Sequence, residues 1–157
     1  MNPRLSELFA REGVRHEVIL HPGVYTAQER AAACHLTGRR LAKVVIVHDG
    51  AWYAMAVLPA TARLDLQNLR RITRRWGLEL AREEEFASLF PDCDLGAMPP
   101  FGRLYDGLSV YLDRSLAQAD ELTFEGGTHQ EEVRIPMNAY IKIERPAIVP
   151  LGAARAA

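Results

Sequence analysis

The segment of this chain with the most unusual chemistry is GAMPPFG, residues 96–102, which has no reactive side chain but two glycines and two prolines. Proline has no N–H, so only a few main-chain donors can point inward here: those of Gly96, Ala97, Met98 and Phe101. Glycine lets the backbone approach a ligand closely, and proline restricts the chain. Such a loop can present N–H groups to a carbonyl oxygen or a water. The alternative is a rigid surface turn beside the core.

The side chains that usually carry catalysis or bind metals are scattered. Cys34 and His35 are adjacent and would point to different sides of a helix, and we predict no metal site. The sequence has no G-x-S-x-G elbow, P-loop or Rossmann glycine pattern, and we predict no cofactor. A Cys93 nucleophile with His129 as its base stays open as a hydrolase of another class.

Length and composition fit one globular domain. The chain has 157 residues, of which 48% are hydrophobic and 25% charged, as in ordinary soluble proteins. We predict one domain over residues 1–150 and a flexible tail over residues 151–157. No segment approaches the ~20 apolar residues of a membrane span, and the N-terminus lacks a secretory signal. We therefore expect a cytoplasmic protein with reduced cysteines.

Basic residues are concentrated in one segment. The formal net charge is -1, so contact with a polyanion would need a local patch. In DLQNLRRITRRWG, residues 65–77, apolar residues recur at helical spacing and the arginines take the other side. Arg70 and Arg74 are the candidate RNA contacts on this predicted helix, although charged helix faces are usually only solvated.

Local signals predict where elements begin and end. Thr26 and Glu29 form a capping-box pattern before a helix over AQERAAACHL. Asp49-Gly50 predicts a hairpin between two apolar runs, and the first run is apolar enough to be covered on both faces. Lys43 begins that run and is either an edge charge or a group aimed into a cavity. Further strands in LSVYLD, ELTFE and EEVRIP favour a mixed α/β fold, with a mixed sheet surrounded by helices.

Four separated segments of the chain resemble the YbaK/prolyl-tRNA-synthetase-associated family, the editing domains that hydrolyse wrongly charged aminoacyl-tRNA. The segments are HPGVYTAQE, RRLAKVVIV, FPDCDLGAMPPFG and FEGGTH. Each segment alone is a weak signal, whereas the set in this order and spacing is specific. The resemblance covers nearly the whole chain.

The resemblance implies a curved mixed sheet with a pocket for the 3′-terminal adenosine of a tRNA and its esterified amino acid. It implies catalytic roles for a lysine and a G-x-x-x-P loop, which match Lys43 and the residues Gly96, Ala97, Met98 and Pro100. It implies substrate-binding roles for Tyr25, Thr26, Phe101, Gly127, Thr128 and His129. The EGG before Thr128 departs from the Asn-Ala-Gly expected there, which leaves the role of His129 open.

The implied function is trans-acting deacylation of mischarged tRNA, in which the terminal ribose hydroxyl of the substrate helps to organise the attacking water. Alanine, serine, threonine and cysteine are the candidate amino acids. The expected partner is mischarged tRNA, with an aminoacyl-tRNA synthetase as a second candidate. The alternative from another class is a module that binds a tRNA end or a nucleotide-like ligand without turnover.

Overall fold

The computed structural model describes residues 1–21, 23 and 26–153 of the chain. The helices in this part are Pro3–Glu12 (α1), Ala27–Ala33 (α2), Leu66–Thr73 (α3), Glu83–Phe86 (α4), Arg114–Ala117 (α5) and Met137–Glu144 (α6). The strands are Glu17–Leu20 (β1), Ala42–Asp49 (β2), Trp52–Pro59 (β3), Glu79–Leu80 (β4), Ser109–Asp113 (β5), Glu121–Glu125 (β6), Glu131–Pro136 (β7) and Ala147–Val149 (β8).

The strands form two sheets in place of the single sheet predicted. A five-stranded sheet has the order β4-β2-β3-β5-β8, and a three-stranded sheet has the order β1-β7-β6. The larger sheet is mixed, because β2 and β3 form the predicted antiparallel hairpin while β3–β5 and β5–β8 run parallel. A parallel bridge between Leu41 and Thr123 joins the two sheets. The predicted mixed α/β fold is confirmed.

The first arm of the hairpin is covered on both faces, as predicted. Successive residues of a strand point to opposite faces of a sheet. In β2, Ala42 and Ile46 belong to a large core cluster, which is shared with α1 and α6. Val47 belongs instead to a smaller cluster on the other face, together with Leu69 of α3. This alternation also decides to which side Lys43 points.

The capping box predicted for α2 is confirmed. The hydroxyl oxygen of Thr26 accepts from the N–H of Glu29 at 3.0 Å, and the N–H of Thr26 donates to the Glu29 carboxylate at 2.9 Å. The helix ends at Ala33, earlier than the predicted end near Gly38. His35 adopts the left-handed backbone conformation, with φ of +54°, and helical hydrogen bonding cannot continue through it.

Helix α3 is also shorter than the sequence pattern predicts. It begins after the cap Asp65 and ends at Thr73, because Arg74 takes the left-handed conformation with φ of +56°. Arg74 therefore lies beyond the helix and not on its polar side. Trp76, expected on the apolar side, is 68% exposed.

The flexible tail predicted from residue 151 must begin later. Leu151 is fully buried, and the N–H groups of Leu151 and Gly152 donate to Oδ1 of Asp113 at 2.7 and 3.1 Å. The N–H of Ala153 donates to the carbonyl oxygen of Arg63 at 2.7 Å. The other residues of the predicted tail, 154–157, lie outside the described part of the chain. The single domain over residues 1–150 stays a prediction.

Candidate functional site

The loop of residues 94–100 is fixed to its neighbours by main-chain hydrogen bonds. The N–H of Asp94 donates to the carbonyl oxygen of Gly127 at 2.9 Å, and the N–H of Gly127 donates to that of Ala97 at 3.0 Å. The hydroxyl of Tyr140, a fully buried residue, donates to the carbonyl oxygen of Pro100 at 2.8 Å. The predicted loop therefore has one shape, supported from the 127 turn on one side and from α6 on the other.

Two of the four predicted inward donors are used within the loop itself. The N–H of Ala97 donates to Asp94 O at 3.0 Å, and the N–H of Phe101 donates to Pro99 O at 2.8 Å. Both close local turns, which a sequence pattern does not reveal. These two amides are not free for a substrate.

The amide of Met98 is the donor that remains. Met98 is 2% exposed, and its N–H finds no acceptor among the described residues. Among the described residues, the amide of Gly96 donates only to the Met98 sulfur, at 3.2 Å, and a thioether is a weak acceptor. Buried main-chain N–H groups without an acceptor are rare in folded proteins. The loop therefore holds one well-placed donor and one weakly engaged donor.

Glycine is required at two positions of the site. Gly96 has φ of +90°, and a side chain there would lie 3.4 Å from Cε1 of His129. Gly127 has φ of +112°, and a Cβ atom there would lie 3.0 Å from Cβ of Asn2. L-residues rarely adopt such φ values. The backbone of the loop thus passes directly beside the His129 ring.

His129 links the loop to strand β6. Its Nδ1 lies 2.7 Å from Oε2 of Glu125, and its Nε2 lies 2.8 Å from the carbonyl oxygen of Leu95. The N–H of His129 also donates to Asp94 at 3.4 Å. Both ring nitrogens are therefore engaged within the chain, beside the residue that begins the G-x-x-x-P motif.

A buried ion-pair network continues inward from Glu125. The guanidinium of Arg30 in α2 lies with Nη1 at 3.2 Å from Oε1 of Glu125. Its Nε and Nη2 contact the two oxygens of Glu132 at 2.5 and 3.1 Å. Nη2 also donates to the carbonyl oxygen of Ala42 at 3.3 Å, and Nε2 of His21 contacts Glu132 at 3.2 Å. The network thereby ties the loop to α2 and to the start of β2.

Burial and neighbouring charges act in opposite directions in this network. Burial disfavours the charged form of His129, but the hydrogen bond and the charge of Glu125 outweigh it, and the pKa of His129 is raised above its ordinary 6.5. The pKa of Glu125 is raised above its ordinary value, because burial and the nearby Glu132 carboxylate outweigh the opposing effects of Arg30 and His129. Arg30 and His129 are the groups that favour the ionised form of this carboxylate.

Lys43 follows Ala42, the first residue of the strand that this network reaches, and it points to the other face of the sheet. It pairs with Leu58, which belongs to the smaller core cluster, whereas Ala42 shares the larger cluster with Met98. The ammonium has no hydrogen bond or ion pair with a described residue, and burial lowers its pKa. The catalytic role that the resemblance implies for Lys43 stays a prediction.

The structure separates the predicted substrate-binding residues. Gly127 and Thr128 lie in the turn that holds the loop, and Thr128 is exposed. Thr26 caps α2. Phe101 is fully buried and lies edge-on to aromatic rings of α1, β6 and α6, so its ring supports the loop from the core, and its role in substrate binding stays a prediction. Tyr25 lies outside the described residues.

The two arginines predicted to contact RNA have different surroundings. Arg70 donates from Nε to the carbonyl oxygen of Leu78 at 2.8 Å and from Nη1 to Gln67 at 3.3 Å, so it braces the end of α3. Arg74 and its neighbour Arg71 are exposed and have no side-chain partner among the described residues. They are the better candidates for an outside anion.

Cys93 lies in surroundings that suppress a thiolate. Its Sγ is 3.1 Å from the hydroxyl oxygen of Tyr105 and 3.6 Å from Oδ1 of Asp92. Burial and the Asp92 carboxylate raise the pKa of Cys93 to about 11. The ring of His129 is bonded to Glu125 and Leu95 instead. The Cys93–His129 hydrolase left open by the sequence therefore has no geometric support.

Two hollows described in the structure open away from the loop. One of about 420 Å³ is lined by residues including Arg39, Arg40, Thr61 and Ser115. Another of about 450 Å³ lies between the end of α1 and α6. Neither is lined by Lys43 or by a residue of the loop.

The sequence interpretation missed Arg30, Glu125 and Glu132. Charged residues inside apolar elements were the available signal, since Glu125 ends the strand ELTFE and Arg30 interrupts the alanine-rich α2. Strand pairing and helix placement decide whether such charges face solvent or each other, and the sequence does not fix either.

Two further properties concern the described residues as a group. No three His, Cys, Asp or Glu side chains among them lie together as ligands for a metal ion. None of their helices is long and apolar enough to cross a membrane.

Comparison with known proteins identifies the family. Residues 21–143 match the model of the aminoacyl-tRNA editing domain. The chain belongs to the aminoacyl-tRNA editing domain family. Among curated proteins none is similar enough to count as a match.

Solved structures show the same fold at low sequence identity. A proposed trans-editing enzyme for prolyl tRNA synthetase is 22% identical, with a TM-score of 0.85 over 98% of this chain and 99% of that one. The hypothetical protein APE2540 is 19% identical, with a TM-score of 0.85 over 96% and 99%. A scaffold protein from computational epitope grafting is 22% identical, with a TM-score of 0.86 over 98% and 97%. These likenesses establish the fold, and the family match establishes editing as the general function.

Proposed function

We propose that the chain is a trans-acting deacylase that hydrolyses the ester of a mischarged aminoacyl-tRNA. The observation that carries the proposal is the amide of Met98, which has no acceptor among the described residues and is held in a loop that is anchored from both sides. Membership of the editing-domain family supplies the class of substrate. We place this activity in the cytoplasm, where charged tRNA is used.

The main-chain N–H of Met98 is proposed to stabilise the carbonyl oxygen of the ester, which becomes negative when the water attacks. A water attacks the carbonyl carbon, the bond to the ribose oxygen breaks, and the proton lost by the water ends on that oxygen, giving free amino acid and uncharged tRNA. An aminoacyl ester is already activated, so placement and a few aimed donors suffice. One such donor is typically worth about 3 kcal/mol of the barrier. The Gly96 amide, bonded only to sulfur, is proposed as a second donor.

The terminal ribose hydroxyl of the substrate is proposed to hold the attacking water. The protein then needs no strong base, which agrees with the absence of a catalytic triad near the loop in the described part of the chain. Lys43 is proposed as a recognition cation for a tRNA phosphate or a polar group of the aminoacyl-adenosine, since its half-buried ammonium has no described partner.

The amino acid that is removed is proposed to be small, with alanine, serine, threonine and cysteine as candidates. Mischarged tRNA is the proposed partner, and an aminoacyl-tRNA synthetase that produces it is a second one.

A module that binds the tRNA end without turnover is the second candidate function. The geometry that favours it is the lack of a hollow at the loop among those described, because a catalytic site must admit the ester. A single assay separates the two functions.

The experiment is a panel of tRNAs carrying labelled alanine, serine, threonine or cysteine, with the correctly charged tRNA as reference for each. We expect release of one or more small amino acids above the uncatalysed rate, and little release from the correctly charged tRNA. Filter binding on the same samples reports whether tRNA is bound. Binding to mischarged tRNA with no release from any member of the panel would support the module and overturn the deacylase.

A further inference from the structure

His129 is held at both ring nitrogens by groups that accept hydrogen bonds. Nδ1 lies 2.7 Å from a carboxylate oxygen of Glu125, and Nε2 lies 2.8 Å from the carbonyl oxygen of Leu95. A neutral imidazole has one N–H and could satisfy one of these acceptors. The imidazolium has two N–H groups and satisfies both. The geometry at the ring therefore fits the charged form.

The charges around His129 favour the same form. Glu125 in β6 and Asp94 in the loop face it directly. Behind Glu125, Arg30 of α2 pairs with both Glu125 and Glu132 of β7. Arg30 carries one positive charge against the two buried carboxylates. The described histidine rings that contact them are His21 at Glu132 and His129 at Glu125, and a charged His129 supplies a second positive charge beside Glu125. Leaving a buried carboxylate without a partner is costly.

We propose that His129 is a positioning residue that works in its doubly protonated form. Its two ring hydrogen bonds tie the carbonyl group of Leu95, and with it the loop from Gly96 to Pro100, to the buried carboxylate of Glu125. We call these two hydrogen bonds the His129 clamp. His129 does not take the proton from the attacking water. This inference rests on the deacylase function proposed above.

The proposal fixes the direction of the pH dependence. The raised pKa of His129 means that the stabilisation of the clamp is fully present below the ordinary value of 6.5 and is lost as the pH rises through the higher value in the folded protein. Deacylation, corrected for uncatalysed hydrolysis, should therefore fall as His129 loses its proton. A histidine acting as general base would make the rate rise over the same range.

Two substitutions separate positioning from a merely structural role. Glu125→Gln keeps the size of the side chain and an acceptor oxygen but removes the charge, so the falling limb of the pH profile should move to lower pH. His129→Ala should lower kcat by about 100-fold, as expected for a loop displaced by about 1 Å. His129→Gln can donate one hydrogen bond but cannot titrate. It should therefore retain more activity than His129→Ala, and its deacylation rate should no longer fall as the pH rises. Circular dichroism on each variant checks that the fold is kept.

The test that needs no turnover is a titration of the intact protein followed by nuclear magnetic resonance of the ring nitrogens. We expect both ring nitrogens of His129 to carry protons near neutral pH, with a midpoint above the ordinary histidine value of 6.5. The amide signals of Gly96 and Met98 should shift with the same midpoint.

An uncharged His129 ring near pH 7 would overturn the proposal. Amide signals of Gly96 and Met98 that do not shift as His129 titrates would overturn it too. A rate that rises through the His129 midpoint would overturn it as well. The titration is independent of catalysis, so a protein that deacylates nothing in the tRNA panel would refute the proposed function and still report on the clamp.

Discussion

The amide of Met98 is the single group on which the proposed chemistry depends most. A main-chain N–H in a buried residue normally has an acceptor, because leaving it without one costs free energy comparable to a lost hydrogen bond. Here the loop is held by its neighbours at Asp94, Ala97 and Pro100, and the Met98 amide has no acceptor in the part of the chain that the structure describes. This arrangement is what a site for an oxyanion or a water requires.

Replacing Gly96 with alanine should reduce deacylation far more than it reduces stability. The added Cβ would sit at a φ of +90° and 3.4 Å from the His129 ring, so it would disturb the clamp as well as the backbone. The expected cost in the free energy of unfolding is about 1–2 kcal/mol, the ordinary penalty of the left-handed region. Chemical denaturation gives the stability, and single-turnover deacylation gives the rate.

Gly107→Ala is the matched control for this substitution. Gly107 has φ of +72°, but nothing lies within 4 Å of the position of a Cβ there. It should lose similar stability and keep full activity. Equal losses of activity in the two variants would mean that the effect comes from general destabilisation and not from the loop beside His129.

Cys93 should be dispensable for catalysis. Its pKa is raised to about 11, so almost no thiolate exists near neutral pH. Cys93→Ala removes the contact with Tyr105 and should cost about 1 kcal/mol of stability while leaving kcat within twofold of the wild type. Complete loss of deacylation in a folded Cys93→Ala protein would point to a cysteine hydrolase instead.

The sequence predicts the motif residues well and their individual contacts poorly. Glycine and proline spacing located the loop because those residues restrict the backbone locally. The use of the Ala97 amide within the loop and the burial of Phe101 depend on tertiary packing. The same limit applies to Arg30, whose partners come from strands about one hundred residues away in the chain.

At the scale of elements, strong local signals produced correct predictions and weak ones did not. The capping box of α2, the β2–β3 hairpin and strands β5, β6 and β7 are confirmed. The sequence interpretation missed β4, α5 and β8, which are two, four and three residues long. Elements this short have no detectable periodicity and form because neighbouring strands and loops offer them partners.

The prediction of RNA-contacting arginines changes at the end of α3. Arg70 braces the carbonyl group of Leu78, so reversing its charge would damage the fold. Arg71 and Arg74 are exposed and are the appropriate positions for testing contact with RNA. Arg71→Glu combined with Arg74→Glu should weaken tRNA binding and flatten its dependence on salt, because each phosphate contact releases counterions.

The matched control for that double variant is Arg11→Glu in α1, an exposed arginine whose described ion pair is with its neighbour Glu12. Fluorescence-detected binding of tRNA at several salt concentrations gives the slope of the logarithm of the binding constant against the logarithm of the salt concentration. The control should keep the wild-type slope. An unchanged slope in the variant at Arg71 and Arg74 would remove α3 from the tRNA interface.

At the scale of the whole molecule, polar contacts connect elements that are distant in sequence. A partly buried hydrogen bond joins Asn2, at the start of α1, to Asp92 just before the loop. The buried ion pairs of Arg30 join α2 to β6 and β7. Such buried networks contribute little net stability, because desolvation offsets the attraction. Their effect here is to fix the position of the loop relative to both sheets, which fits a site that works by placement.

The position of Lys43 on the opposite face of β2 gives the account its sharpest test. Lys43 is half-buried and has no partner among the described residues. Its proposed role is therefore to bind tRNA and not to act on the ester. A hydrogen bond to a charged group is worth about 1.5–3 kcal/mol. The chain has one other lysine, Lys142, which is exposed on α6 and serves as the matched control.

The deciding measurement is kcat and KM for deacylation of the best mischarged tRNA by the wild type, Lys43→Ala and Lys142→Ala. The account predicts clear turnover by the wild type and by Lys142→Ala, and a fall of about 10- to 100-fold in kcat/KM for Lys43→Ala that lies mainly in KM. Absence of turnover by the wild type, or equal kcat/KM for the two lysine variants, would contradict it.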